Sequence, residues 1–339
     1  MRPKSPNLLA VLLQSYFSNY LVNLRGMSPN TIQSYRDSLV LLLRFLASHK
    51  GRAAASLDLN DLDPLAIQDF LDHLEQNRKN RTSTRNIRLS AIHSFFHFVA
   101  AQRPDRLEHA QRILGIPFKK CGSLAINYLE YDEMEQILSR INQSTPQGRR
   151  DYTLLATLFN TGGRVQEILD LRARDLQLTK PYQLRLMGKG RKQRCCPIWP
   201  QTARLLRRLC EESQIDLGSE MRIFQNCRGE PLTRFGVRYI LHQCFQRARA
   251  SMPSLTSKRL HPHCVRHSTA VALLKSGVDL STISQWLGHS CMETTNRYAT
   301  VDLDMKRKAI ASVKPLRDHR SSKAPWHHNR SILDWLESL

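Results

Sequence analysis

The chain has 339 residues, 41% of them hydrophobic and 24% charged, a length that suits about two domains and a composition that excludes both a disordered and a membrane-embedded chain. Lys and Arg number 51 against 29 Asp and Glu, for a formal net charge of +22. A surface so positive repels itself unless a polyanion neutralises it, so nucleic acid is the expected partner and a metabolic enzyme for small neutral substrates is disfavoured. No apolar run is long enough to cross a bilayer, and no signal-peptide core follows Met1-Arg2-Pro3-Lys4. The eight cysteines show no Cys-x-x-Cys spacing. Cys195 and Cys196 are adjacent and point to opposite faces of a strand, so a reduced, cytoplasmic protein with mostly buried thiols is expected.

The first hundred residues read as helices. Ser28 can cap a helix that Pro29 opens, with Tyr35, Leu39, Leu42, Leu43, Phe45 and Leu46 at helical spacing. A second helix is expected from Pro64 to Glu75, with Ile67, Phe70, Leu71 and Leu74 on one face. A third follows Thr82-Ser83 and carries Ile87, Ala91, Ile92, Phe95, Phe98 and Val99. The third is preceded and opened by Arg78, Lys79, Arg81, Arg85 and Arg88. By itself such a run is a solvated helix face; on so basic a chain it is equally a set of phosphate contacts. Between Arg103 and Leu129 the periodicity fades among Pro104, Pro117, Lys119-Lys120 and Gly122. This stretch reads as an interdomain linker, its lysines suited to a phosphate backbone. The expected division is a helical clamp over 1–106, a linker over 107–125, a catalytic domain over 126–312 and a tail over 313–339.

The second domain opens near Tyr128, with an acidic first helical turn at Tyr131-Asp132-Glu133. A helix from Arg149 to Asn160 ends at Thr161-Gly162-Gly163, and another begins at Arg164. The segments 182–186 and 193–198 alternate about Gly188-Lys189-Gly190-Arg191, which predicts a β-hairpin. Helices return at Pro200–Cys210, Thr233–Ala250, Pro262–Lys275, Asp279–Leu287, Glu293–Tyr298 and Asp302–Ala311. The fold class is therefore mainly α with a small antiparallel β-sheet. The chain finishes in an amphipathic segment, Ser331 to Leu339, too short to be a stable helix alone. It is expected to dock either on its own body or on a neighbouring copy.

Five elements of the second half carry chemistry: Arg164 after a glycine turn, Lys189 at a hairpin tip, His263 and Arg266 three apart on one helix face, His289 after Gly288 at a helix end, and Tyr298 nine residues on. Each has an ordinary explanation as well. Arg164 and Glu167 can be a surface pair, Lys189 a turn lysine, His263 a helix-start histidine, His289 a C-cap donor, and Tyr298 a core ring with its hydroxyl at the rim. Together they follow one order: Arg, Lys, His-x-x-Arg, Gly-His, Tyr. In that order the sequence resembles the tyrosine recombinase (phage-integrase-type) family, Xer-like recombinases included, over nearly the whole chain.

The resemblance implies an N-terminal helical core-binding (SAM-like) domain and a C-terminal tyrosine-recombinase catalytic domain. It implies site-specific DNA strand exchange without metal, ATP or another cofactor, expected to serve integration, excision or resolution of DNA for a mobile element. It implies double-stranded DNA as partner and a homo- or hetero-tetramer on two DNA sites. The catalytic set it implies is Arg164, Lys189, His263, Arg266, His289 and the nucleophile Tyr298. Arg78, Lys79, Arg81, Arg85, Arg88, Lys119, Lys120 and Arg191 are the expected DNA contacts, and Glu167 and His267 the supporting groups. There are departures from the family: Gly163 stands where a larger apolar residue is usual, Cys264 is unusual inside His-x-x-Arg, and Arg191 and Lys192 compete with Lys189 for the hairpin role.

The chemistry fits the residue types. Two guanidiniums can grip the nonbridging oxygens of a phosphodiester and offset charge that grows in the transition state. A phenol with a pKa of about 10 is a weak nucleophile until placed and deprotonated, His263 being the expected acceptor of its proton. The leaving 5′ oxygen needs a proton, for which Lys189 is the expected acid. A 3′-phosphotyrosyl link stores the bond energy, so no nucleotide-binding loop is needed, and no GxxxxGK(S/T) occurs. His261, His263, Cys264 and His267 are metal-ligand types, but neighbours on one helix do not converge on an ion. A type IB topoisomerase-like activity and a silent DNA-binding regulator are the competing readings.

Overall fold

The computed structural model describes residues 7–122, 126–188, 190, 192–288, 293–296, 298 and 336. The chain divides into two compact units, 1–124 and 125–339. Among the described residues no helix is long and apolar enough to cross a membrane.

The first unit is helical. Helix α1, Leu8–Ser15, is capped by Asn7 and runs on as a π-helical stretch, Tyr16–Leu24. Helix α2, Pro29–His49, starts as the sequence predicts: the Ser28 hydroxyl accepts from the Thr31 amide, and Pro29 occupies the first turn, where its missing N–H costs nothing. Asp63 and Pro64 play the same parts for α3, Pro64–Gln76. Helix α4, Thr82–Gln102, runs through the core, burying Leu89, Ile92, Phe95, Phe96 and Val99 completely. Tyr16 packs edge-on against Phe95, and its hydroxyl donates to Ser94 Oγ at 2.8 Å.

The stretch read as linker from residue 107 is partly folded. Leu107–Leu114 forms helix α5, which buries Ala110 and Ile113 in the first unit's core. Arg85, expected as a DNA contact, is also part of this packing. It is 5% exposed, and its Nη1 donates to the Pro117 carbonyl at 3.1 Å and to Asn86 Oδ1 at 3.2 Å. Its place on the α4 face shared with Leu89 and Ile92 turns it inward, so it secures the segment after α5 instead of standing on the surface.

The second unit places α6, Tyr131–Ser139, α7, Pro146–Thr161, and α8, Val165–Leu169, before a three-stranded antiparallel sheet. Strands β1, Leu176–Gln177, β2, Gln183–Met187, and β3, Gln193–Pro197, lie in that order. The register pairs Leu184 with Cys196 and Leu186 with Arg194. Leu184, Leu186 and Cys196 face the core while Arg185, Met187 and Cys195 face out, which splits the adjacent cysteines as alternation requires. Burial pushes the Cys196 thiol up to about 12. Helices α9, Pro200–Glu212, α10, Arg234–Arg249, α11, Pro262–Lys275, α12, Leu280–Leu287, and the short α13, Glu293–Asn296, complete the unit. Helix α7 packs between α9 and α11 around a core that includes Leu154, Leu155, Phe224 and Val265. The expected helix at 302–311 and nearly all of the tail lie outside the described residues.

Candidate active site

The site is assembled where α7 stops. Gly162 closes the helix in the left-handed region with φ 59°, and its amide donates to the Leu158 carbonyl. A side chain is excluded there: a Cβ on Gly162 would lie 2.5 Å from Leu287 Cδ2. The turn is tight at Gly163 too, where a Cβ would lie 2.7 Å from Ile168 Cδ1. Thr161 Oγ1 accepts from the Gly163 amide at 3.1 Å and donates to the Thr157 carbonyl at 2.7 Å, fixing the turn from inside.

Arg164 follows in extended backbone as the N-cap residue of α8. Glu167, one turn on, reaches back: its Oε2 accepts from the Arg164 amide at 3.0 Å, and its Oε1 accepts from Arg164 Nη1 at 2.7 Å. The carboxylate therefore both caps the helix and orients the guanidinium. Burial pushes the Glu167 carboxyl up, but Arg194 and then Arg164 more than offset this and hold it below the usual range.

Arg266 enters from α11 and is 4% exposed. Its Nη1 donates to the Gly162 carbonyl and its Nη2 to the Leu287 carbonyl, each at 2.7 Å. Burial, and next the charge of Arg164, push its pKa down to about 10, so it stays cationic at neutral pH. Three guanidiniums, Arg164, Arg194 and Arg266, thus crowd about a single carboxylate, Glu167. Excess positive charge in a half-buried place is costly until an anion arrives.

His263 lies one turn before Arg266, more open to solvent. Partial burial, then His261, Arg266 and Arg164, hold its imidazole below the ordinary histidine range. Cys264 points inward and donates to the Arg259 carbonyl, leaving His263 and Arg266 free of it. Tyr298 is 1% exposed and packs with Ala270, Val271, Leu274, Ile283 and Leu287 of α11 and α12. Its hydroxyl is 2.8 Å from His267 Nδ1, the tautomer deciding which atom donates. The expected contact of the phenol was His263; the imidazole found beside it is His267.

Lys189, Arg191 and His289 lie outside the described residues. The β2–β3 hairpin is closed by the Gly188 amide donating to the Lys192 carbonyl at 2.8 Å. In the first unit Arg78, Lys79, Arg81, Lys119 and Lys120 are exposed, Lys119 being paired with Glu75. Arg88 is half-buried and donates to Ser38 Oγ at 2.9 Å. His261 and His263 sit with ring centroids 6.3 Å apart, and among the described residues no group of three or more His, Cys, Asp or Glu side chains is placed to hold a metal ion.

Sequence reasoning missed Arg194. Its Nη2 donates to Glu167 Oε2 at 2.6 Å and its Nε to the Trp286 carbonyl at 3.0 Å. The signal was there: alternation puts Arg194 on the strand face of Leu186 and Cys196, and an inward cation calls for a buried carboxylate.

Comparison with known proteins places this geometry. Residues 127–305 match the phage integrase family, and residues 14–103 match its N-terminal SAM-like domain. The chain belongs to the phage integrase family. It is a tyrosine-type site-specific recombinase. A putative integrase/recombinase of Sinorhizobium fredii is 38% identical over 331 residues, 98% of each chain. The tyrosine recombinase XerC of Staphylococcus saprophyticus is 29% identical over 289 residues, covering 85% of this chain and 92% of the relative. The fold matches that of the XerH site-specific recombinase bound to difH substrate in a pre-cleavage complex, with a TM-score of 0.66 at 22% identity over 88% of this chain and 84% of that one.

Proposed function

We propose that the recombinase cuts and rejoins double-stranded DNA through a 3′-phosphotyrosyl link at Tyr298, serving integration, excision or resolution of a mobile element. The observation that carries the reading is the guanidinium cluster: Arg164 and Arg266, held by Glu167 and by backbone carbonyls, have more positive charge than their surroundings neutralise. A phosphodiester supplies the missing anion, and its transition state supplies more of it. Arg164 and Arg266 bind the nonbridging oxygens, and His263 and His289 add hydrogen bonds. At rest His267 orients the phenol, and His263 takes its proton as Tyr298 Oη bonds to phosphorus. The phosphorus–O5′ bond breaks, and Lys189 protonates the leaving oxygen. A 5′ hydroxyl from the same or another strand reverses the step, so neither an energy source nor a metal enters the balance.

Tyr298 is almost fully covered, so the phenol must leave its packing against α11 and α12 to attack. Arg78, Lys79, Arg81, Lys119, Lys120 and Arg191 hold the phosphate backbone, and binding falls steeply with salt. The working assembly is a tetramer on two DNA sites, acting in the cytoplasm on the nucleoid. The similarity to a putative integrase/recombinase along the whole length supports the mobile-element role. The test is a plasmid carrying the DNA that flanks the gene, incubated with protein and quenched in detergent. A covalent protein–DNA adduct is expected with the wild type and none with Tyr298→Phe. Tight binding without an adduct in either would make the chain a binder only.

A further inference from the structure

We propose that Arg194 is a positioning residue of the recombination site, keeping Glu167 from neutralising Arg164 and locking the lysine-bearing hairpin to the end of α12. The inference rests on the strand-cleavage reading above.

Helix α12 ends in a left-handed glycine, Gly288, with φ 66°. The last carbonyls of a helix have no partner within it and carry its partial negative charge. Here three successive ones each meet a different arginine: the Trp286 carbonyl accepts from Arg194 Nε at 3.0 Å, that of Leu287 from Arg266 Nη2 at 2.7 Å, and that of Gly288 from Arg164 Nη2 at 3.4 Å. The helix end is a template that sets the spacing of the guanidiniums. Gly288 also lets Arg194 pack against the backbone, since a Cβ there would lie 3.0 Å from Arg194 Nη1.

The three arginines are not equivalent. The Arg194 side chain is 12% exposed and the Arg164 side chain 34%. Arg194 is the inner support and Arg164 the outer, ligand-facing group. Glu167 lies between them and gives one oxygen to each guanidinium. If Arg194 is removed, the second oxygen keeps only its bond from the Arg164 amide. The carboxylate then turns both oxygens to Arg164, a fork-to-fork geometry that spends the edge needed for phosphate. Arg194 also lies on β3, directly behind the hairpin turn, so its bond to Trp286 fixes that hairpin to the chain leading to Gly288.

The experiment measures single-turnover adduct formation on a nicked duplex carrying the cleavage site recovered from the flanking DNA, with DNA affinity and the urea midpoint measured beside it. Arg194→Gln is expected to slow cleavage by about a hundredfold, the cost of a misplaced reacting group, with affinity changed by less than about threefold. Adding Glu167→Gln to Arg194→Gln is expected to cost nothing more, because the harm is done through Glu167. Arg194→Lys keeps the charge beside Glu167 but has no second edge for Trp286; it serves if the glutamine variant does not fold and is expected to be slowed at least about tenfold. Losses that multiply in the double variant, or an affinity that falls as far as the rate, would overturn the proposal. Absence of a wild-type adduct would instead sink the strand-cleavage reading on which it rests.

Discussion

Gly162 joins the end of α7 to the site, and replacing it with alanine separates backbone strain from crowding. An L-residue in the left-handed region costs about 1–2 kcal/mol. Gly277, in the same unit, has φ 87° and nothing within 4 Å of a Cβ, so Gly277→Ala suffers that cost alone. At Gly162 the new methyl would also lie 2.5 Å from Leu287 Cδ2 and 3.2 Å from Thr269 Cγ2. Those neighbours sit in a packed core, and moving them costs about 1–3 kcal/mol more. Gly162→Ala should therefore destabilise by about 2–5 kcal/mol in all. The four tryptophans, at 199, 286, 326 and 335, all follow residue 125 in the sequence. Urea unfolding followed by tryptophan fluorescence thus reports on the second unit. Since the Gly162 carbonyl accepts from Arg266 at 2.7 Å, cleavage should fall about tenfold or more in Gly162→Ala and little in Gly277→Ala. Equal urea midpoints for the two variants would refute the argument, because the close approach to Leu287 would then have no energetic consequence.

Three further outcomes are expected. Arg85→Met strands the Pro117 carbonyl and should destabilise the first unit by about 1–3 kcal/mol, whereas Arg81→Ala, on the surface, should leave stability within about 0.5 kcal/mol and lower the salt slope of DNA binding by about one; similar stabilities would put Arg85 back on the surface. Because the folded chain holds His263 below its ordinary pKa of about 6.5, the unfolded chain binds more protons below that value, so stability attributable to this site is complete above it and declines as the pH falls towards the depressed value. His263→Gln should accordingly gain on the wild type in urea midpoint between pH 7 and pH 5 (about those values), and a constant difference would contradict the shift. Adduct formation should be unchanged in excess EDTA, and a strong loss would bring a metal into the mechanism.

Much of the fold was legible because local rules decided it. Ser28-Pro29 and Asp63-Pro64 start helices whatever surrounds them, and alternation about Gly188–Gly190 defines a hairpin. Helix α5 escaped because it is short, flanked by prolines, and held by only two buried side chains, Ala110 and Ile113. Strand β1 is two residues long and exists only as a partner of β2. Within the site, Arg164 and Glu167 are one helical turn apart and readable as a pair. Arg194 is 27 residues from Glu167 and His267 is 31 from Tyr298, distances at which only the packed fold decides. Arg85 was misplaced because charge was weighed before period: it falls on the same helical stripe as Leu89 and Ile92.

The most direct test of the account is to digest the trapped adduct and identify both of its ends. The account predicts that the DNA is linked to the peptide containing Tyr298 through a 3′ phosphate, leaving a free 5′ hydroxyl that polynucleotide kinase can label. A link at any other residue, an adduct that survives Tyr298→Phe, or a 5′-linked strand would contradict it.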